Sequence, residues 1–307
     1  MMYCTLKDGT SIPVLGQGTW YLGEHIHTYE AERNALRTGI ESGMTLLDTA
    51  EMYGDGKAER LIGGILPHYK RQTLFLVSKV YPHNADRRHI FHSCDESLRR
   101  LGTDYLDLYL LHWRGSVPLQ ETVECMEELI QQGKIRRWGV SNFDKKDMEE
   151  LFSIPGGSHC MVNQVLYHMA SRGIEYDLLP WMREHQVTLM AYCPLAQGGR
   201  LSRNLLTHPM LEELAAEHQA TVPQILLSFV IRDGHTVAIP RTGNATHTWQ
   251  NSLASELRLS KKDLERIESV FPAPTQKTPL DLEECQNGPI AEFLFAAGLF
   301  VGLETGR

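Results

Sequence analysis

What this 307-residue chain lacks narrows it first. Its six cysteines (Cys4, Cys94, Cys125, Cys160, Cys193 and Cys285) are scattered, with no CxxC and no close pair. That spacing argues against a disulfide framework and fits a reducing compartment. Fourteen histidines suggest metal binding, yet there is no HExxH and no tight His/Cys spacing, so no metal is expected. The formal charge is −8, without the basic excess that nucleic acid or an anionic membrane selects for. No apolar run reaches the ~20 residues of a bilayer span. The first ten residues carry no basic-then-apolar leader, and the expectation is a cytoplasmic protein. No linker or low-complexity stretch divides the chain.

What is there is alternation. Residues 2–13 read as a hairpin around Asp8-Gly9. A short glycine-bearing strand starts at Val14. Further strands are expected at 44–48, 74–80, 105–111, 135–141, 161–166, 187–193 and 235–239. Between them lie segments of helical spacing at 29–42, 57–66, 85–101, 119–132, 144–152, 175–185, 208–218, 222–232 and 246–254. The strand runs are apolar without clean alternation, as in a parallel sheet buried on both faces. Eight βα units in this length predict a (β/α)8 barrel. The whole chain reads as one domain: hairpin 1–13, barrel 14–272 and a C-terminal tail 273–307. A doubly wound sheet is the competing architecture. Against it, Gly16-Gln-Gly-Thr-Trp-Tyr21 has no third glycine, so the dinucleotide fingerprint fails.

In such barrels the active site lies at the C-terminal strand ends. Asp48, Lys79, His112, Ser141-Asn142, Gln164, Tyr192 and Arg241 fall at seven of those ends, and Tyr53 follows Asp48 by five residues. Each has a plainer reading alone: a helix cap for Asp48, packing for Tyr53, a solvated loop for Lys79. Together they make chemical sense. A phenol is a poor proton donor at neutral pH unless a nearby ammonium favours its anion. Lys79 supplies that ammonium, Asp48 holds Lys79, and His112 donates to a carbonyl oxygen that Tyr53 protonates. The missing half of a carbonyl reduction is a hydride, which side chains do not provide, so a nicotinamide cofactor is implied.

Three stretches resemble the aldo-keto reductase family: Leu47-Asp-Thr-Ala-Glu-Met-Tyr-Gly54, Leu98-Arg-Arg-Leu-Gly-Thr-Asp-Tyr-Leu-Asp-Leu-Tyr-Leu-Leu-His112, and Gly133-Lys-Ile-Arg-Arg-Trp-Gly-Val-Ser-Asn-Phe143. The similarity runs from about residue 10 to residue 270. Gly18-Thr-Trp-Tyr21, Lys79-Val-Tyr-Pro82 and Asn163-Gln-Val-Leu-Tyr-His168 are most similar to the bacterial methylglyoxal-reductase-type members. The resemblance implies metal-free, NADPH-dependent reduction of small aldehydes and ketones such as methylglyoxal. It implies a catalytic tetrad of Asp48, Tyr53, Lys79 and His112, with Tyr53 as general acid. Ser141, Asn142 and Gln164 would hold the nicotinamide carboxamide, and Tyr192 would stack on its ring. Gly18, Thr19 and Trp20 would border the cofactor, with Leu195 and Gln197 along the pyrophosphate. Trp20, Tyr21, Tyr81 and Trp113 would line the substrate pocket. The alternative is a barrel that binds NADPH as a redox sensor or regulatory subunit.

The adenosine phosphate clamp departs from the family pattern. Arg241 and Thr242 match, and Asn244 and Asn251 follow. But His247 stands where the family usually has a second arginine, and Gln250 where it has a glutamate. The expectation is NADPH through Arg241, with NADH as a second cofactor. The tail ends in the apolar run Ile290–Leu303, interrupted by Gly298 and Gly302. A packed helix, an unordered end, a homo-oligomer contact and a membrane-surface anchor all stay open for it.

Overall fold

The computed structural model describes residues 1–196 and 204–282. The N-terminal hairpin pairs β1 (Tyr3–Thr5) with β2 (Ser11–Pro13) antiparallel, turning at Gly9 with φ 86°. Eight parallel strands follow: β3 (Gln17–Gly18), β4 (Leu46–Asp48), β5 (Phe75–Val80), β6 (Leu108–Leu111), β7 (Trp138–Ser141), β8 (Val162–Leu166), β9 (Thr188–Tyr192) and β10 (Thr236–Ala238). They hydrogen-bond in sequence order. The ring closes between first and last. Gly16 N–H donates to Ala238 C=O at 2.9 Å, Ala238 N–H to Val14 C=O at 2.8 Å, and Gly18 N–H to Pro240 C=O at 3.1 Å. This is the predicted (β/α)8 barrel.

Glycine makes the seam. A Cβ on Gly18 would lie 2.9 Å from the Ile239 carbonyl oxygen, and one on Gly16 would lie 2.5 Å from Leu46 Cδ2. A side chain there would push β3 off its neighbours. The strand interiors are buried throughout, β5 and β6 entirely so. That is why their sequences read as unbroken apolar runs rather than as alternation.

The helices α1 (Tyr29–Glu41), α2 (Lys57–Gly63), α3 (Ile90–Leu101), α4 (Leu119–Gln131), α5 (Lys145–Ser153), α6 (Leu178–Glu184), α7 (Pro209–Glu217), α8 (Val222–Val230), α9 (Ala245–Leu253) and α10 (Lys261–Val270) surround the ring. Helix α1 buries Ala35, Leu36, Gly39 and Ile40 at helical spacing and stops before Gly43, whose φ is 89°. The structure shortens several expected elements. The helix expected from residue 85 begins at Ile90, because Pro82–Asn84 forms a 3-10 turn. There the Asp86 carboxylate takes the Arg88 and His89 N–H groups at 3.1 and 2.9 Å. Regular pairing in the run expected from 105 starts only at Leu108. The structure also adds α10, which lies beyond the last expected helix and is announced by a Ser260/Asp263 capping box.

The hairpin covers the N-terminal end of the ring. Lys7 Nζ donates to the Ser158 and Cys160 carbonyls at 2.5 Å, and Arg137 pairs with Asp8 at 2.6 Å. All three partners directly precede β7 or β8. The opposite end is left for the site. The described part of the tail returns to that end: Lys277 pairs with Asp144 at 2.8 Å and Asp177 at 2.9 Å, and Ser171 donates to Asp281. Asp144 follows β7, and Ser171 and Asp177 follow β8, so the segment crosses the loops at the mouth. Gln197, Cys285 and the apolar run Ile290–Leu303 lie outside the described residues. Among the described residues no helix is long and apolar enough to cross a membrane.

Candidate active site

Four residues from three strand ends meet inside the mouth. Asp48 closes β4, Lys79 sits near the end of β5, and His112 follows β6. Tyr53 is carried back over the barrel by the turn after β4. The Lys79 ammonium donates to Asp48 Oδ2 at 2.8 Å, to the Thr49 carbonyl at 2.9 Å and to the Tyr53 hydroxyl at 3.0 Å. Its three protons are thereby used. The Tyr53 ring stands edge-on to His112, centroids 5.7 Å apart. All four side chains are buried.

Burial pushes the Asp48 carboxyl up and the Lys79 ammonium down, and each opposes the other's shift across the 2.8 Å contact. A second partner steadies Asp48: Gln164 Nε2 donates to Oδ1 at 2.8 Å. Burial first, and the Lys79 charge second, push the His112 imidazole well below its usual range, so it is neutral at pH 7. Its Nδ1 is buried with no hydrogen-bond partner among the described residues. The other phenol of the mouth, Tyr81, is pushed up to about 12 by burial and then by Asp55 and Glu51. Only Tyr53, of these two, has an ammonium against its oxygen.

A row of amides and hydroxyls continues from this cluster around the ring. Ser141 Oγ donates to the Gln164 carbonyl at 2.8 Å. Asn142 Nδ2 donates to the His112 carbonyl at 3.2 Å, and the Tyr192 hydroxyl donates to Asn142 Oδ1 at 2.9 Å. Leu195 lies half-buried beyond Tyr192. Backbone strain gathers here: Tyr21, Asn142, Cys193 and Ala196 all have positive φ, 50–61°. On the far side, Thr19 Oγ1 donates to the Asp48 carbonyl at 2.9 Å, and Gly18 bridges to Arg241.

Arg241 spends its Nε on the Trp20 carbonyl at 2.8 Å, while its Nη atoms have no protein acceptor among the described residues. Thr242 Oγ1 accepts the Asn244 N–H at 3.1 Å, and the Asn244 side chain caps α9 by accepting the His247 N–H at 3.1 Å. His247 itself is exposed. Gln250 gives its carbonyl to Gln224 at 2.9 Å, and Asn251 is buried on the inner face of α9. The sequence therefore placed Arg241, Thr242, Asn244 and His247 together at one helix N-terminus, a place suited to an anion.

The aromatic residues form a cup. Trp20 stacks on Tyr21 at 4.6 Å and leans toward Tyr53 at 6.3 Å. Trp113 meets His112 at 5.0 Å and Tyr81 edge-on at 5.9 Å. Tyr21 is the outlier: the residue is 49% exposed and its ring takes the Arg241 guanidinium at 5.7 Å, so it lies on the Arg241 side of the rim. Two acidic residues escaped the sequence reading. Glu51 accepts the Tyr81 N–H at 2.7 Å and Asn84 Nδ2 at 3.1 Å, fixing the loop that carries Tyr81. Glu59 is fully buried behind Lys79. Its only sequence signal is its closeness to Tyr53, on what looks like a charged helix face.

Residues 14–271 match the Aldo/keto reductase family. The chain is 53% identical over 272 residues to methylglyoxal reductase YeaE of Escherichia coli (strain K12), covering 89% of this chain and 95% of that protein. It is 32% identical over 267 residues to glyoxal reductase of Bacillus subtilis (strain 168), covering 86% and 91%. An aldo/keto reductase from Klebsiella pneumoniae, solved with NADP and acetate, superposes with a TM-score of 0.89 at 48% identity, covering 92% of this chain and all of that one. The barrel, the strand-end cluster and these similarities agree. The chain belongs to the aldo/keto reductase family and is an oxidoreductase acting on carbonyl groups.

Proposed function

We propose that this chain reduces small aldehydes and ketones, methylglyoxal and related 2-oxoaldehydes among them, with NADPH, and that Tyr53 is the general acid. The observation that carries the reading is the buried relay from Asp48 through Lys79 to the Tyr53 hydroxyl, with contacts of 2.8 and 3.0 Å. The named activities of the similar reductases support the substrate class.

When bound, NADPH supplies the hydride. The donor chemistry fits it. Ser141, Asn142 and Gln164 offer the hydroxyl and amide groups that complement a carboxamide, and Tyr192 offers an aromatic face. Gly18, Thr19, Trp20 and Leu195 border the same groove, and Arg241, Thr242 and Asn244 offer a phosphate site at a helix N-terminus.

The chain's own residues do the rest. Trp20, Tyr81 and Trp113 wall the carbonyl compound in and exclude water. Neutral His112 donates a hydrogen bond to the carbonyl oxygen and polarises it. Tyr53 gives that oxygen its proton. The Lys79 ammonium, already on the phenol oxygen, stabilises the phenolate left behind, and Asp48 keeps Lys79 in place. The buried, unbridged thiols Cys4, Cys94, Cys125 and Cys160 support a reducing, cytoplasmic setting. The family match over 14–271 supports treating the chain as one reductase unit.

The test follows NADPH absorbance with methylglyoxal for wild type and Tyr53→Phe. The variant is expected to lose at least about a hundredfold in kcat, the usual weight of a general acid. Tight NADPH binding without turnover across a panel of small aldehydes would replace this reading with that of a cofactor-binding sensor. Deleting residues 289–307 tests the proposal, supported only by the apolar composition of Ile290–Leu303, that the tail joins subunits; an unchanged particle size rejects it.

A further inference from the structure

The loop that delivers Tyr53 is an unpromising support for a catalytic group. Gly54, Asp55 and Gly56 all have positive φ, 56°, 52° and 77°, and regular helix begins only at Lys57. What fixes it lies outside the barrel wall. Glu59, in the first turn of α2, is fully buried. Its carboxylate accepts from Ser78 Oγ at 2.6 Å and from Arg100 Nε of α3 at 2.5 Å. Arg100 also runs across Gly56: a Cβ there would lie 2.4 Å from Arg100 Cδ and 2.5 Å from Nε. Ser97 Oγ accepts from the same guanidinium at 3.2 Å. One arginine thus clamps both ends of the segment that leads from the Tyr53 loop into α2.

Ser78 gives this cluster its link to chemistry. It precedes Lys79 in β5, and neighbouring strand residues point to opposite faces. Ser78 reaches out to Glu59 while Lys79 reaches in to Asp48 and Tyr53. We propose that Glu59 is a positioning residue for the reaction: it ties the Tyr53 loop to the strand of Lys79 and supports the ammonium from behind. This rests on the reading of Tyr53 and Lys79 given above.

The electrostatics agree with the geometry. Lys79 is faced by Asp48 from β4, by the Tyr53 phenol from the loop, by neutral His112 from the end of β6 and by Glu59 from α2. Burial disfavours the ammonium, and Asp48 and Glu59 oppose that effect. Removing the Glu59 charge takes from the Arg100 guanidinium its nearer carboxylate and leaves it only the 3.8 Å pair with Glu96. The lysine then sees more positive charge and loses its proton at lower pH.

The experiment measures kcat, KM and Tm against pH for wild type, Glu59→Gln, Glu59→Asp, Ser78→Ala and Tyr53→Phe, with NADPH and methylglyoxal. Glu59→Gln is expected to lower kcat about tenfold with KM within about twofold, and to move the alkaline limb of kcat down by about one pH unit. Glu59→Asp keeps the charge and is expected to hold the limb at its wild-type pH. Ser78→Ala cuts the strut alone and is expected to lower kcat about threefold without moving the limb. An unmoved limb in Glu59→Gln overturns the proposal, even if Tm falls. If that variant does not fold, Ser78→Ala decides, and wild-type kcat in it overturns the proposal. An active Tyr53→Phe enzyme would instead sink the underlying reading, so the two failures are distinguishable.

Discussion

At the residue scale, burial decides which groups titrate. His168 follows β8, is 3% exposed, and accepts the Ala170 N–H on Nδ1 at 3.2 Å. Burial lowers its pKa from the ordinary 6.5 to about 4, against a weaker opposing pull from Asp281. The folded chain therefore holds neutral histidine where the unfolded chain binds a proton. The unfolded state binds more protons between those values, so stability rises with pH there and is lost as pH falls from about 6.5 toward 4. A shift of that size corresponds to roughly 3 kcal/mol. Denaturant unfolding at pH 7 and pH 4.5 is expected to show most of that loss, about 2 kcal/mol, and His168→Gln is expected to flatten the slope in that window. The meeting of Asp48, Tyr53, Lys79 and His112 was legible in the sequence for a simple reason: each ends an apolar run or follows one closely. The Glu59–Arg100 pair was not, because Lys57-Ala-Glu-Arg60 and Leu98-Arg-Arg-Leu101 read as solvated helix faces. Only tertiary packing turns those charges inward.

At the element scale, the repeat of strand and helix carried the fold, and local capping decided the boundaries. The Asp86 turn delays α3, and the Ser260/Asp263 box starts a helix that apolar spacing alone did not reveal. Under the proposed function, helix α9 is the element that sets cofactor preference. Its N-terminus presents Arg241 and Thr242, but its third residue is the exposed His247 rather than a second arginine. On that reading, Arg241 is the fixed positive charge at the phosphate end. The ratio of kcat/KM for NADPH over NADH is expected to be modest in the wild type. His247→Arg is expected to raise it about tenfold, the worth of one added charge-assisted contact of ~1.4 kcal/mol. An unchanged ratio would place His247 away from the phosphate.

At the scale of the whole molecule, the returning tail segment ties distant parts of the mouth together. Lys277 joins Asp144, two residues beyond Asn142, to Asp177 after β8. These are partly exposed pairs, worth about 1 kcal/mol or less. Lys277→Ala is therefore expected to leave Tm within about 4 °C of wild type. It is also expected to raise the KM for cofactor a few-fold by loosening the loop behind Asn142. A fall in Tm with KM unchanged would make the contact purely structural.

The seam between β3 and β10 has its own consequence for how such a chain is made. The strand that opens the ring leaves the ribosome more than 200 residues before its partner, and Gly18 meets Arg241 only at the end. Until then β4 alone covers one side of β3, and the other side is a bare edge. Nascent chains truncated before residue 236 are expected to keep that edge open, to associate with one another and to need chaperones. Chains released past residue 241 are expected to close and stay monodisperse, a difference that sedimentation of the truncation series would read directly.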